Sequence, residues 1–157
     1  MTGAPTISTG GVERWNDTFA REHDIDDYYA RSGTLNRWVE RRRLATISAM
    51  VAAEANDSVL EVGCSGGQVL RLFPHANLTG VDVSGEMLSK ARQNLRGYRV
   101  ELLEGELDDL DLPAHSFDRV ICSEVLEHVV DPEAILRGIQ RLLPLRCCFR
   151  CTACQSD

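Results

Sequence analysis

Short apolar runs alternate with amphipathic segments through the middle of the chain. Four runs have the length and apolar content of buried strands, and they occupy residues 58–63, 78–82, 98–103 and 117–122. Helical spacing predicts helices between and after them, over residues 68–73, 84–95 and 131–143. Ser84 is expected to cap the second of these helices, and Asp131-Pro132 to begin the third. This alternation predicts an α/β fold with a Rossmann-like, doubly wound parallel sheet.

The rest of the chain divides into three segments. Residues 1–11 are expected to form a disordered leader, and residues 12–56 to add N-terminal helices to the α/β domain at 57–143. The longest N-terminal helix is predicted to be capped by Ser32 or Thr34 and to end at Asn56-Asp57. It is predicted to carry one apolar face, made of Leu35, Trp38, Val39, Ile47, Met50 and Val51. Residues 144–157 are expected to form an irregular, cysteine-rich tail.

Composition places the chain among soluble globular proteins. Apolar residues make up 43% and charged residues 26% of its 157 residues. The N-terminus lacks the apolar stretch of a signal peptide, and no segment approaches the roughly 20 apolar residues of a membrane span. The net charge of −7 weighs against a nucleic-acid partner, and the basic cluster of Arg37 with Arg41 to Arg43 is interpreted as a solvated helix face. We therefore expect a cytoplasmic protein with no membrane partner.

A glycine-rich turn follows the first predicted strand. Glycines at 63, 66 and 67 allow the backbone to turn tightly and to approach a ligand closely. The second strand ends in Asp82, 19 residues after Gly63, where a carboxylate can accept hydrogen bonds from both hydroxyls of a ribose. Ser65 and Gln68 stand where the dinucleotide fingerprint requires glycine, which disfavours an NAD-dependent oxidoreductase.

Three motifs in order carry a more specific resemblance. Residues 59–67, 81–91 and 117–128 resemble successive motifs of the class I S-adenosylmethionine (SAM)-dependent methyltransferases, and the likeness covers residues 58–143. Membership of that family implies methyl transfer from SAM to a small-molecule substrate, with O-methylation as one form of it. In-line attack of a substrate nucleophile on the methyl group would then depend mainly on positioning.

The resemblance also assigns residues to the cofactor. It implies that Glu61 meets the methionyl amino group and that the backbone of Gly63, Cys64, Ser65 and Gly67 passes the methionyl moiety. Asp82 would hold the ribose, and Val83 and Met87 would pack on the adenine. Glu106 would accept a hydrogen bond from the adenine amine, with Leu107 beside the ring. Ser123 would close the floor of the site. Ser65 and Glu106 depart from the usual glycine and aspartate of the family.

A possible metal site follows the fourth strand. If Glu124, Glu127 and His128 begin a helix, their spacing places them on one face. Two carboxylates and an imidazole suit Mg²⁺ or Mn²⁺, and the same text resembles metal-assisted O-methyltransferases. The alternative is that these residues bind no metal and that His128 orients or packs. His128 is also the one candidate for a catalytic role.

The family resemblance stops at the C-terminal tail. Members of the family continue after residue 143 with a glycine turn and a fifth strand, whereas this chain ends in residues 144–157 with four of its six cysteines. We therefore expect an incomplete sheet that holds the first four of the usual seven strands. A fourth strand left at the edge would favour self-association. The alternative function is a catalytically inactive SAM-binding fragment or partner subunit.

Overall fold

Four parallel strands form one sheet in the computed structural model, which describes residues 33–144. The strands are β1 (Ser58–Val62), β2 (Asn77–Asp82), β3 (Val100–Glu104) and β4 (Arg119–Cys122). They lie in the order β3-β2-β1-β4, so the chain reverses its direction of winding after β3. The α/β, Rossmann-like prediction is confirmed. The predictions made for residues 1–32 and 145–157 lie outside the described residues.

Three helices accompany the sheet, namely α1 (Thr34–Val51), α2 (Gly85–Asn94) and α3 (Pro132–Leu142). The hydroxyl of Ser84 accepts a hydrogen bond from the Met87 amide at 3.3 Å and caps α2. The Asp131 carboxylate accepts one from the Ala134 amide at 3.0 Å and caps α3. Both predicted starting points are therefore confirmed, because an oxygen on the capping side chain satisfies an amide that the first turn leaves free.

Three local predictions are wrong. The helix expected over residues 68–73 is a single 3₁₀ turn at Leu70–Leu72, because glycines just before it bend the chain and only a few residues separate it from β2. Helix α1 is preceded by Gly33, which gives it no side-chain cap. It ends at Val51 rather than at Asn56-Asp57, since Ala52 adopts a left-handed conformation with φ +43°.

The core lies on both faces of the sheet. Val59 on β1 packs in a cluster with Ile47 of α1 and Leu88 of α2. Leu60, the next residue, packs on the opposite face in a cluster with Ile139 of α3. Helices α1 and α2 thus cover one face and α3 covers the other, as alternate side chains of a strand buried on both sides require.

The predicted apolar face of α1 is wrong in its first half. Leu35, Trp38 and Val39 are 70%, 58% and 52% exposed, whereas Ile47 is buried. The nine residues from Trp38 to Ile47 turn the helix through about 900°, at roughly 100° per residue, so the two side chains point to opposite sides. The guanidinium carbon of Arg42 instead lies over the Trp38 ring, 5.6 Å from the centre of that ring. Within residues 33–144, no helix has the length and apolar content required to cross a membrane.

Candidate functional site

The turn after β1 lies at the carboxyl edge of the sheet, where open parallel sheets bind ligands. Gly63, Ser65 and Gly67 have φ values of +70°, +47° and +79°, so the backbone takes a left-handed conformation at every second residue. The amides of Gly63 and Cys64 both donate to the Val81 carbonyl of the neighbouring strand, at 2.8 and 3.0 Å. These bonds hold the turn against the end of β2.

Two glycines of this turn leave no room for a side chain. A Cβ on Gly63 would overlap Cγ2 of Val125, and one on Gly67 would come within 2.8 Å of Cδ1 of Leu95. The carbonyl of Gly66 accepts a hydrogen bond from the Asn94 side chain of α2 at 2.9 Å. The turn is therefore held from several sides, and glycine is needed both for backbone conformation and for space.

Asp82 joins three loops at this edge. Its Oδ2 accepts the amide of Ser65 at 2.8 Å and its Oδ1 accepts the amide of Ser84 at 2.9 Å. Its own carbonyl accepts the Gly105 amide, after β3, at 3.0 Å. The carboxylate predicted to bind a ribose is thus fixed in place beside the turn after β1.

Glu61 is a buried ionisable group at the end of β1. Its side chain lies within the sheet on the α1 face, the residue is 3% exposed, and its Oε2 is buried without a hydrogen-bond partner. Burial raises the pKa of this carboxyl well above its ordinary value of 4.5, and the negative charge of Asp82 adds to the increase. The nearby charge of Arg43 and a hydrogen bond with the Leu70 backbone oppose it. A buried carboxylate oxygen without a partner favours a cationic ligand.

Arg43 is a candidate site residue that the sequence analysis missed. Its Nη1 donates to the Ser123 hydroxyl, just after β4, at 3.3 Å. The arginine therefore extends from α1 across the carboxyl edge, close enough to Glu61 to affect its pKa. In the sequence it is one of three consecutive arginines. Arg43 is half-buried while Arg41 and Arg42 are exposed, because each residue points in a different direction around the helix axis.

The predicted adenine contacts divide into two groups. Met87 is 7% exposed but belongs to neither of the two buried apolar clusters, and Val83, four residues before it, is half-buried. Leu107 packs within the α3 cluster, where its Cδ2 approaches Gly138. Glu106 immediately before it is exposed. The Leu107 side chain is therefore part of the core, whereas Met87 and Val83 lie outside both apolar clusters.

Cys64 contributes its backbone to the turn and its side chain to the core. The thiol is buried, and burial raises its pKa further above the ordinary value of 9.0. A Cβ on Gly80 of β2 would lie 2.7 Å from the Cys64 sulfur. Gly80, which the sequence analysis did not single out, makes room in the middle of a strand for this thiol.

The metal-site prediction depended on a helix that does not form. Residues 126–128 make a turn, in which the His128 amide donates to the Val125 carbonyl at 2.9 Å. Glu124 has φ +59°, so the helical spacing that would align it with Glu127 and His128 is lost, and all three side chains are exposed. Within residues 33–144, no three His, Cys, Asp or Glu side chains gather in a way that could hold a metal ion. These residues do not fit a metal site.

Comparison with known proteins agrees with the geometry of the turn. The model of the family described as "Methyltransferase domain" matches residues 60–144, which are 85 of the 157 residues. The ubiquinone biosynthesis O-methyltransferase of Xanthomonas axonopodis pv. citri is 38% identical over 106 residues, covering 64% of this chain and 44% of that protein. The chain therefore spans less than half the length of this relative.

Solved structures show the same architecture. The YcgJ protein from Bacillus subtilis is 26% identical and superposes with a TM-score of 0.60, over 66% of this chain and 46% of that one. The [4+2]-cyclase SpnF has a TM-score of 0.74 over 90% of this chain and 58% of its own, at 20% identity, which shows the fold alone. Since the family model covers more than half of its residues, the chain belongs to the methyltransferase-domain family.

Proposed function

We propose that this chain binds SAM at the carboxyl edge of its sheet and transfers the methyl group to a small molecule. The observation that carries the proposal is the buried Glu61 carboxylate with Oε2 unpaired, beside the glycine turn. The methionyl end of SAM presents an ammonium and a carboxylate. Glu61 would pair with the ammonium and Arg43, which faces the same edge, with the carboxylate.

The other contacts follow from where the side chains lie. Asp82, held by the amides of Ser65 and Ser84, would accept hydrogen bonds from the ribose hydroxyls. Val83 and Met87 would pack on the adenine, and Glu106 would accept from its amine. The backbone of Gly63, Cys64, Ser65 and Gly67 would border the methionyl moiety, and Ser123 would close the floor of the site. Leu107 would lie beside the adenine ring through its backbone, since its side chain packs in the core.

The chemistry that we propose is O-methylation. A relative named as an O-methyltransferase shares 38% of the aligned residues with this chain. The bound cofactor supplies a methyl group on a sulfonium, which a substrate oxygen accepts as the carbon–sulfur bond breaks. The chain would contribute positioning and the removal of the substrate proton. His128, in the exposed turn after β4, is our candidate for accepting that proton.

Calorimetric titration tests the cofactor first. We expect S-adenosylhomocysteine (SAH), the product form of SAM, to bind with one site per chain and NADH not to bind. Binding of NADH without SAH would contradict the proposal. Transfer of labelled methyl from SAM to small phenols and alcohols then tests the activity. Binding of SAH without transfer to any acceptor would favour the alternative of an inactive SAM-binding partner subunit.

We also propose a cytoplasmic location. We further propose that two copies of the chain associate through the open edge of β4. Within residues 33–144, β4 pairs with β1 on one side only, so the backbone groups of alternate β4 residues point to an open edge. The Asp118 amide donates to Ser58 of β1, which directs the backbone groups of Arg119 and Ile121 to the opposite side. Sedimentation over a hundredfold range of concentration should show a reversible dimer. A monomer at every concentration would contradict this proposal.

A further inference from the structure

Glu40 holds the guanidinium of Arg43 with two hydrogen bonds. Nε of Arg43 donates to Oε2 at 3.0 Å, and Nη2 donates to Oε1 at 2.8 Å. The two side chains are one turn apart on α1 and are only 16% and 31% exposed, so solvent screens this pair less than a fully exposed one. Two parallel bonds fix the plane of a guanidinium as well as its position.

This arrangement directs the remaining nitrogen of Arg43 away from α1. Nη1 donates to the Ser123 hydroxyl at 3.3 Å, on the loop that follows β4. The neighbouring Arg41 and Arg42 are exposed, and Arg42 lies over the Trp38 ring instead. Since a free arginine side chain loses rotamer entropy when it is held in one orientation, a partner that holds it is needed for a fixed orientation.

We propose that Glu40 is a positioning residue for the cofactor site and acts through Arg43. Its carboxylate holds the guanidinium over the carboxyl edge, so that the positive charge acts on Glu61 and Ser123 rather than on solvent. The inference rests on the proposed function, in which Glu61 and Arg43 bind the two charged groups of the methionyl end. In this proposal Glu40 itself would touch neither the cofactor nor the substrate.

Burial is the main cause of the raised pKa of Glu61, and charged groups on two elements shift it further. Arg43 on α1 lowers the pKa of Glu61, and Asp82 at the end of β2 raises it. The thiol of Cys64, in the turn between them, is held neutral by the increase in its own pKa. If Glu40 acted only by its charge, its removal would lower the pKa of Glu61, because one negative charge would be lost. If Glu40 positions Arg43, its removal raises that pKa, because the nearby positive charge moves away.

The test measures SAH affinity by calorimetry from pH 5 to pH 8. In the native chain, affinity should fall on acidification as Glu61 takes up a proton. Glu40→Gln should weaken binding about three- to tenfold at neutral pH, in keeping with the loss of a charge-assisted pair. It should also move the acidic midpoint of binding to higher pH, which a merely structural role would not do.

A double-mutant cycle shows whether Glu40 acts through Arg43. In an Arg43→Met background, Glu40→Gln should have no further effect on SAH affinity. Asp57→Asn is the matched control, because Asp57 forms an ion pair with Arg119 at 3.6 Å at the opposite end of the sheet. The side chains of Asp57 and Arg119 are 20% and 37% exposed, which is similar to Glu40 and Arg43. Asp57→Asn should leave both the affinity and the acidic midpoint unchanged.

Three results would overturn the inference. The first is that Glu40→Gln binds SAH as tightly as the native chain. The second is that Glu40→Gln moves the acidic midpoint of SAH binding to lower pH. The third is that Glu40→Gln weakens SAH binding equally in the native and the Arg43→Met backgrounds. Thermal melting of each variant without ligand confirms that it is folded. A native chain that binds no SAH would contradict the proposed function itself, which keeps the two failures apart.

Discussion

The Asp82 side chain accepts the backbone amide of Ser65 at 2.8 Å, across the gap between the ends of β2 and β1. This bond holds Ser65 in a left-handed conformation, with φ +47°, which residues other than glycine rarely adopt. The carboxylate therefore shapes the turn after β1 before any ligand is present. Its remaining lone pairs can still accept hydrogen bonds from a ribose.

Substitution of Asp82 should affect binding and stability together. Asp82→Ala removes an acceptor of ribose hydroxyls, and we expect SAH affinity to fall by about 1–3 kcal/mol. The melting temperature of the free protein should also fall, because the amides of Ser65 and Ser84 lose their acceptor. Calorimetry and thermal melting measure the two effects. Asp111→Ala, on an exposed loop, is the control and should change neither.

Glu61 should make the folded state less stable as the pH rises. The pKa of Glu61 is raised in the folded state, so the native protein holds this proton more tightly than the unfolded chain. The stability linked to the proton is complete below the ordinary pKa of 4.5 and is lost as the pH rises through the raised pKa. Glu61→Gln should therefore gain stability relative to the native chain between acidic and neutral pH, without ligand.

Chemical denaturation at several pH values measures that difference in unfolding free energy. Glu101→Gln, at an exposed position on β3, should show no such trend. A difference between Glu61→Gln and the native chain that stays constant with pH would be evidence against a raised pKa. The same Glu61→Gln variant should bind SAH less tightly at neutral pH, since it no longer offers a charge to the ammonium.

Gly63→Ala and Gly97→Ala separate crowding from backbone strain. Both glycines have positive φ, +70° and +88°, but a Cβ on Gly97 meets nothing within 4 Å, whereas one on Gly63 overlaps Val125. Gly97→Ala should cost about 1 kcal/mol of unfolding free energy from strain alone. Gly63→Ala should cost at least about 1–3 kcal/mol more, because the contact with Val125 adds overpacking.

Val125→Ala in the Gly63→Ala background should partly restore the unfolding free energy that Gly63→Ala loses, since the shorter side chain at position 125 removes the overlap. Equal losses for Gly63→Ala and Gly97→Ala would show that Val125 can move aside. Urea denaturation of Gly97→Ala, Gly63→Ala and the Gly63→Ala/Val125→Ala double variant provides the comparison.

Substitutions at Ser65 test how much strain the turn holds. Ser65→Gly should keep or raise the melting temperature, because glycine adopts φ +47° without steric cost. Ser65→Val should lower it clearly, since a β-branched side chain is strongly disfavoured at positive φ. SAH affinity should follow the same order if the shape of the turn sets the position of the ligand. Similar melting temperatures for the two variants would show that the turn relaxes.

The alternation of strands and helices was predictable from the sequence because it depends on local spacing. The four strands of the sheet were located to within two residues, and the caps Ser84 and Asp131 were identified by residue type. Asp82 was singled out by its distance from Gly63 along the chain, since a strand–helix–strand unit of ordinary length brings those positions to the same edge. These predictions need only neighbours in sequence.

Tertiary contacts decided what local spacing could not. The sequence treats Arg41, Arg42 and Arg43 alike, and only the packing of α1 against the sheet turns Arg43 towards Glu61. Packing also exposes Trp38 while burying Ile47, and it requires glycine at position 80 because the sulfur of Cys64 lies there. The sequence alone therefore determined the fold class and the turn that we propose as the cofactor site. Which charges face that turn depended on the orientation of whole elements, because side chains far apart in sequence meet only when helices and strands pack.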